Sequence, residues 1–252
     1  ILRQQYKGRF QSEISALLEQ ISQGHLLSDA MKVQKFYPKM LEGVVEAGEN
    51  TGQLVTVLER ISIFYKKEFE KNEKIKKAIN NLLKRDGLIL GICNGFQALI
   101  KSGLLPYGEV RELNEDSPTL TFNNINKHMS KIVMTKIISN NSPWLMEMNE
   151  EDIHAIPMSH GEGRVVITEE EYKKLYKNNQ IATKYVDFDG KPSMAPEFNP
   201  NGSYYAIEGM LAHKGRIFGK MAHSERTGKN LYKNIYGNKD QNIFRNGVKF
   251  FK

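Results

Sequence analysis

The chain has 252 residues, of which 40% are hydrophobic and 26% are charged, and this composition is typical of a globular protein rather than a disordered or fibrous one. No stretch reaches the roughly 18 consecutive apolar residues of a membrane-spanning helix, and the first residues show no signal-peptide pattern. The single cysteine excludes an internal disulfide and favours a reducing, cytoplasmic compartment.

The net charge of +7 is concentrated in one short segment. Residues 71–85 (KNEKIKKAINNLLKR) hold six Lys or Arg and one Glu, whereas residues 1–70 are neutral overall. Such a patch can contact nucleic acid or an acidic membrane surface. No aromatic or glycine-rich binding pattern accompanies it, so we expect a solvated helix face and no nucleic-acid partner.

The first part of the chain, residues 1–85, shows the apolar spacing of amphipathic helices. Ser28 is a predicted N-cap, and Pro38 suits the first turn of the next helix. Gly48 and Gly52 bracket a predicted turn between two helices. The apolar positions that recur at intervals of three or four are Ile14, Leu17, Leu18 and Ile21, then Leu54, Val57, Leu58 and Ile61, then Ile75, Ile79, Leu82 and Leu83.

After residue 86 the pattern changes. Residues 87–92 (GLILGI) form a short apolar run that is typical of a buried strand, and residues 96–100 continue with helical spacing. Further short apolar runs are separated by glycine and proline, which predicts an α/β or α+β organisation. These predicted strands are residues 119–122, 131–137, 164–167, 181–186, 204–211 and 216–221.

The clearest candidate for a reactive residue is Cys93, in residues 91–95 (GICNG). A buried strand runs into a helix here, and small neighbours permit the tight turn of a nucleophile elbow. The N-terminus of the helix favours a thiolate and can stabilise an oxyanion. A buried structural cysteine is the alternative, and the spacing alone leaves both interpretations open.

A second candidate is His223, followed by Glu225 in residues 221–226 (MAHSER). In extended backbone, side chains two residues apart point to the same side. Glu225 can therefore hold one imidazole nitrogen while the other takes a proton from a thiol. Taken alone, a surface His–Glu pair is the simpler interpretation.

Two strings rich in turn-forming residues complete the set. Residues 160–164 (HGEGR) place two glycines around Glu162, which predicts a tight loop that a ligand can approach closely. Residues 199–203 (NPNGS) predict a loop and nothing more.

Together these strings resemble the amidotransferase domain of the phosphoribosylformylglycinamidine synthases. The resemblance covers about residues 80–252, and it implies the α/β fold of a class I glutamine amidotransferase with a flavodoxin-like sheet. The similar strings, which occur in that family in the same order, are residues 91–97 (GICNGFQ), 160–164, 199–203 and 223–226 (HSER), followed by the tail strings 237–241 (GNKDQ) and 247–251 (GVKFF).

The resemblance also implies a role for each site residue. Cys93 attacks the side-chain amide of glutamine, His223 acts as general base and acid, and Glu225 orients His223. Ammonia then passes to a synthetase domain, which uses ATP and Mg to convert formylglycinamide ribonucleotide to the amidine, and no cofactor or metal is expected in this chain. The Asn94 N–H is an implied oxyanion donor, and the implied substrate-binding residues are Asn94, Gln97, His160, Gly161 and Glu162.

The chain departs from that family in two places. Ser224 stands where the family more commonly has proline, which changes no reacting group. No β–α units and no Gly-Gly-Phe-Ser-type loop, the family's source of the second oxyanion donor, precede Cys93, and the chain begins without methionine. We therefore expect a partial amidotransferase domain over residues 71–252, with little or no glutaminase activity on its own.

Residues 1–70 resemble a different family, the cytoplasmic helical domain of type II secretion and competence-pilus F proteins. This resemblance implies a partial, all-α interaction module, with the seam between the two domains near residues 69–73. The similar strings are residues 21–31 (ISQGHLLSDAM), 36–38 (FYP) and 48–54 (GENTGQL).

Three interpretations therefore compete. An amidotransferase is supported by four ordered strings and the tail. A secretion-platform interaction protein is supported by one stretch of sequence. A nucleic-acid or lipid contact through residues 71–85 is supported by charge alone, so the sequence favours the amidotransferase.

Overall fold

The computed structural model describes residues 9–34 and 36–252, and the chain forms two compact units that divide between Lys77 and Ala78. In these described ranges no helix is both long enough and apolar enough to cross a bilayer. The predicted α/β class, with an all-α segment at the N-terminal end, is confirmed.

The first unit is helical and has its own apolar core. Leu17, Met31 and Val45 are buried there, and Leu54 and Ile61 pack against them. The apolar spacing that predicted helices thus also supplies the buried faces. The helices are α1 (Arg9–Ser22), α2 (Leu27–Gln34), α3 (Lys39–Asn50) and α4 (Leu54–Lys84), which continues into the second unit.

The N-terminus of α2 is capped by Glu49, and the prediction that Ser28 caps it is wrong. Ser28 is buried within the first turn of the helix. The Glu49 carboxylate accepts the N–H groups of Leu27 at 2.7 Å and of Ser28 at 3.2 Å. These are donors that a local cap ordinarily satisfies, and here a residue on another helix replaces it.

The second unit contains a six-stranded sheet and a separate two-stranded one. The strands are β1 (Ile89–Ile92), β2 (Thr119–Phe122), β3 (Met129–Ile137), β4 (Ile153–His160), β5 (Glu162–Val166), β6 (Ile181–Tyr185), β7 (Ile207–Ala212) and β8 (Ile217–Lys220). The large sheet has the order β1-β8-β7-β6-β3-β4, in which β1 and β8 are parallel and the other neighbours antiparallel. Strands β2 and β5 form the antiparallel pair.

Three helices of eight residues or more accompany these sheets, namely α5 (Asn94–Lys101), α6 (Glu169–Lys177) and α7 (Ile243–Phe250), besides the short helical segments Leu104–Tyr107 and Tyr204–Ala206. Helix α5 buries Phe96 and Ile100 in the main core of this unit, against Leu105 and Ile217. The contact between α5 and β8 is close, because a Cβ at Gly219 would lie 2.3 Å from the Phe96 ring. The helix that follows Cys93 is therefore held firmly on the sheet.

Strand β4 is absent from the predicted strands because Pro157 lies within it. A proline cannot donate to a sheet ladder and is found at sheet edges. Strand β4 is the last in the strand order, where Pro157 pairs with Ile132. The Pro157 carbonyl oxygen accepts the His223 N–H at 2.7 Å, so this strand also positions a predicted site residue.

Candidate active site

Cys93 and His223 follow two strands that lie side by side. Strands β1 and β8 are parallel, with Ile92 opposite Lys220, and the Cys93 N–H donates to the Lys220 carbonyl oxygen at 2.9 Å. Because parallel strands end at the same edge of a sheet, the residues that follow them meet there. This pairing brings together two residues that are far apart in sequence.

The turn at Cys93 is tight and its backbone is strained. Cys93 has φ 55° and ψ −109°, a combination that residues other than glycine rarely adopt and that is common at functional sites. A Cβ at Gly91 would lie 2.7 Å from the Gly95 carbonyl carbon and 2.5 Å from Leu99 Cδ1. A Cβ at Gly95 would meet nothing within 4 Å, so the close approach requires glycine at position 91 only.

The Cys93 thiol is nearly enclosed by protein, with 9% of the residue exposed. Its Sγ lies 3.7 Å from the Ser159 carbonyl oxygen and 3.9 Å from Asn94 Oδ1. Burial raises the pKa of the thiol, while the Asn94 N–H and the Arg226 guanidinium act to lower it. Burial thus outweighs the expected preference for thiolate, and a base is needed to generate the nucleophile at neutral pH.

His223 is held by Glu225 through one ring nitrogen. His223 Nδ1 lies 2.5 Å from Glu225 Oε1. Since the carboxylate accepts, we assign the proton to Nδ1 and the lone pair to Nε2. In the described part of the chain, the buried His223 Nε2 has no hydrogen-bond partner. The arrangement leaves a basic nitrogen free to take a proton.

His160 forms a second buried imidazole beside the site. Its Nδ1 lies 3.1 Å from Asn123 Oδ1, and its Nε2 has no partner among the described residues. Burial, together with the neighbouring His128 and His223, lowers the pKa of His160 to about 4. His160 is therefore neutral at physiological pH, and its Nε2 is an acceptor.

The segment after His160 is held by hydrogen bonds from residues 199–203. This string, for which the sequence predicted only a loop, is buried at Asn199, Asn201 and Ser203. Asn201 Nδ2 and Ser203 Oγ both donate to the Gly163 carbonyl oxygen, at 2.8 and 3.3 Å. Residues 199–203, for which the sequence predicts a loop, thus hold the HGEGR segment in place where β4 turns into β5.

A cavity of about 660 Å³ opens between these elements. Seven of the eight predicted site residues line it, and the eighth, Glu225, reaches it through His223. Gln97 Nε2 donates to the Glu162 carbonyl oxygen at 2.6 Å and ties the helix to the loop. The predicted lining residues are Cys93, Asn94, Gln97, His160, Gly161, Glu162 and His223.

Five lining residues are missing from the sequence-based set. Arg226 stands in the HSER string itself, so that string was sufficient to single it out. The other four come from strand ends and from the loop after β2, and no local pattern marks them. The five are Ile92, Phe122, His128, Ser159 and Arg226.

A slightly larger cavity, of about 720 Å³, lies beside α6 and the β7–β8 turn. Tyr107, Leu175, Gln180 and Gly215 are among its lining residues. None of the predicted site residues lines it, so we assign the candidate active site to the cavity that contains Cys93.

Comparison with known proteins gives a family match and several structural likenesses. The family model described as "CobB/CobQ-like glutamine amidotransferase domain" matches residues 7–251. PurLQS from Thermotoga maritima is 28% identical with a TM-score of 0.53, over 71% of this chain and 69% of that chain. A glutamine amidotransferase from Thermotoga maritima is 13% identical with a TM-score of 0.35, over 63% of this chain and 50% of that one, which is too distant to support an argument. None of these matches is to a secretion protein.

Proposed function

Since this chain belongs to the family of CobB/CobQ-like glutamine amidotransferase domains, we propose that its second unit binds glutamine and, when joined by a synthetase domain, releases ammonia from the side-chain amide. The observation that carries this proposal is that Cys93 and His223 line one cavity, with His223 held by Glu225. A thiol, a base and a carboxylate that orients the base are the parts that nucleophilic acyl transfer needs.

The proposed reaction begins when glutamine fills the cavity. His223 Nε2 takes the proton from Cys93 Sγ as the sulfur attacks the amide carbon, and Glu225 stabilises the imidazolium. The Asn94 N–H, at the start of α5, donates to the developing oxyanion. His223 then returns the proton to the leaving nitrogen, so ammonia departs and a glutamyl thioester remains.

A water molecule completes the cycle. It attacks the thioester carbon while His223 takes one of its protons, and that proton passes to the departing sulfur. Glutamate and the Cys93 thiol are the products. His160 lines the cavity, and its ring is fixed by the hydrogen bond to Asn123 Oδ1 and by its packing against Gly163.

We further propose that the ammonia serves a synthetase domain that makes the amidine of formylglycinamide ribonucleotide with ATP and Mg, in purine biosynthesis. Support for this step comes from the ordered strings and tail that resemble the phosphoribosylformylglycinamidine synthases. The similarity to PurLQS also supports it. ATP and Mg would bind to the synthetase partner.

The test of the glutaminase proposal is labelling of the purified chain with an electrophilic glutamine analogue, followed by mass spectrometry. We expect one adduct on Cys93, slower adduct formation in the presence of glutamine, and no adduct in Cys93→Ala. Asparagine, which is one methylene shorter, serves as the control and is expected to protect poorly. Labelling that glutamine does not slow would contradict the proposal.

The synthetase step has its own test. The chain is mixed with a synthetase partner, ATP, Mg and formylglycinamide ribonucleotide, and the amidine is measured with either glutamine or ammonium chloride as the nitrogen source. We expect Cys93→Ala to abolish the glutamine-dependent product and to leave the ammonium-dependent product unchanged. Equal loss of both products would count against a separate glutaminase site.

A second candidate function, a type II secretion or competence F-type interaction module, applies to the first unit only. Two observations favour it: the similar strings at residues 21–31 and 48–54, and an apolar core that this unit forms by itself. Co-purification of the chain with a secretion ATPase would support this function. If residues 1–70 alone do not bind that ATPase, this second function is wrong.

A further inference from the structure

Buried polar side chains that the proposed reaction does not use lie directly behind the catalytic histidine. Lys220 and Glu208 are both fully buried, with 0% side-chain exposure. Lys220 Nζ donates to the Ala222 carbonyl oxygen at 3.0 Å and to Ser224 Oγ at 2.8 Å. One ammonium group thus holds both chain neighbours of His223.

Glu208 fixes the same segment through a second contact. Its Oε1 accepts the Ala222 N–H at 2.7 Å and lies 3.5 Å from Lys220 Nζ, while its Oε2 accepts the Thr183 hydroxyl at 2.5 Å. Burial lowers the pKa of Lys220, and the Glu208 carboxylate opposes that shift. Both backbone polar groups of Ala222 are therefore bound inside the protein.

The tail of the chain extends this network. Ser224 Oγ, which accepts from Lys220, donates to Gln241 Oε1 at 2.5 Å. Gln241 is 1% exposed, and its Nε2 donates to Thr135 Oγ1 at 3.4 Å on strand β3. Lys220 donates, Ser224 and Gln241 each accept from one neighbour and donate to the next, and Thr135 accepts, so the donor directions agree along the whole series.

We propose that Lys220, Ser224 and Gln241 are positioning residues that set the orientation of the His223 imidazole towards Cys93. The proposal deepens the proposed function and rests on it. It also assigns a use to the GNKDQ string, which the reaction itself leaves unexplained.

Stability alone does not account for this network. Replacing a buried ion pair by well-packed apolar side chains often costs little stability and can even increase it. A displacement of a reacting group by about 1 Å, in contrast, can cost ~10²-fold in rate. A buried network that is hydrogen-bonded to Ala222 and Ser224, the residues on both sides of His223, therefore acts on the orientation of the His223 ring.

The test compares two serines that have the same burial. Ser224 and Ser142 are each 6% exposed, and Ser142 Oγ donates to the Gly215 carbonyl oxygen at 2.6 Å, away from the site. Ser224→Ala and Ser142→Ala therefore remove the same hydroxyl from equally buried places. The readouts are the rate of Cys93 alkylation by iodoacetamide from acidic to alkaline pH, and thermal unfolding followed by circular dichroism, since Ser142 Oγ accepts the Trp144 N–H and fluorescence would report on that contact.

We expect both variants to lose similar thermal stability. Ser224→Ala should slow alkylation at neutral pH by about tenfold and move the pH profile towards that of His223→Ala, whereas Ser142→Ala should keep the wild-type profile. Ser224→Thr, which retains the hydroxyl, should restore the wild-type profile. Lys220→Met and Gln241→Met, read in the same way, should resemble Ser224→Ala.

Three results would overturn the proposal. One is a wild-type alkylation profile in Ser224→Ala. Another is a loss of rate in that variant that matches its unfolded fraction. The third is a wild-type profile in His223→Ala, because no base orientation would then matter. Protection of Cys93 by glutamine, measured in the same samples, reports separately on the proposed function.

Discussion

The imidazole of His160 occupies the space that a side chain on Gly163 would need, since a Cβ at position 163 would lie 2.2 Å from His160 Cε1. At Gly161 the nearest atom to such a Cβ would be the His128 Cα, at 3.9 Å, an ordinary contact. The second glycine of the HGEGR string is therefore required by a contact inside the protein. Approach of a ligand does not explain it.

Gly163→Ala is expected to displace the His160 ring. The crowding should lower the free energy of unfolding by roughly 1–3 kcal/mol and weaken the protection of Cys93 by glutamine. Gly161→Ala is the matched substitution for stability and should unfold at nearly the wild-type temperature. Thermal unfolding together with glutamine protection measures both effects, and equal behaviour of the two variants would show that the ring can move at little cost.

The elbow gives a second pair of matched variants. Gly91→Ala places a methyl group against the backbone of Gly95 and should open the strand-to-helix turn, with loss of Cys93 labelling by a glutamine analogue. Gly95→Ala meets open space and should fold normally, with a gain of up to ~1 kcal/mol because alanine favours a helix over glycine. The measurements are unfolding and labelling, and impaired folding of Gly95→Ala alone would reverse this assignment.

Glu225→Gln tests the tautomer of His223. An amide can donate to Nδ1, which would move the ring proton to Nε2 and remove the free base. We expect Cys93 alkylation at neutral pH to slow by roughly ten- to a hundredfold, less than the ~10⁴-fold known for a fully buried carboxylate, because Glu225 is 41% exposed. Glu225→Asp, which keeps the negative charge, should slow Cys93 alkylation less than Glu225→Gln does. An unchanged rate in Glu225→Gln would show that the carboxylate does not set the tautomer.

Acid should destabilise the second unit through two buried histidines. Burial lowers the pKa of both His154 and His160 to about 4 from 6.5. Below pH 6.5 the unfolded chain binds these protons while the folded chain does not, so stability is full above that pH and is lost as the pH falls towards 4. Each histidine should contribute a loss on the order of 3 kcal/mol.

The measurement is denaturant unfolding at a series of pH values, followed by the fluorescence of Trp144, the only tryptophan. His154→Gln should reduce the loss of stability between pH 6.5 and pH 4 by about half. His25→Gln, at an exposed position in the first unit, is the control and should follow the wild-type curve. If stability falls with pH as steeply in His154→Gln as in the wild type, groups other than His154 cause the acid sensitivity.

The sequence was most informative where the chemistry is local. The elbow at Cys93 and the pairing of His223 with Glu225 each depend on a few consecutive residues, and the structure places both at one cavity. What the sequence does not contain is the parallel pairing of β1 with β8, which brings the two together. That pairing depends on the whole sheet and has no short-range pattern.

Other features were missed for identifiable physical reasons. Strand β4 is not predicted because it contains Pro157, which argues against a strand. The burial of residues 199–203 is not predicted because the segment is polar. Helix α6 carried a usable signal, because Thr168 caps it by accepting the Glu171 N–H, the start of a capping box. The Glu49 cap of α2 had no such signal, since its partners lie on another helix.

The contacts of residues 237–241 also set an order of events during protein synthesis. The Asn238 carbonyl oxygen accepts the Ala155 N–H at 2.7 Å on β4, and Gln241 accepts from Ser224. A ribosome exposes Cys93 and β4 long before these tail residues leave the exit tunnel. Ala155 and Ser224 therefore leave the ribosome without these two partners, and the hydrogen bonds form only after residues 238 and 241 have followed them.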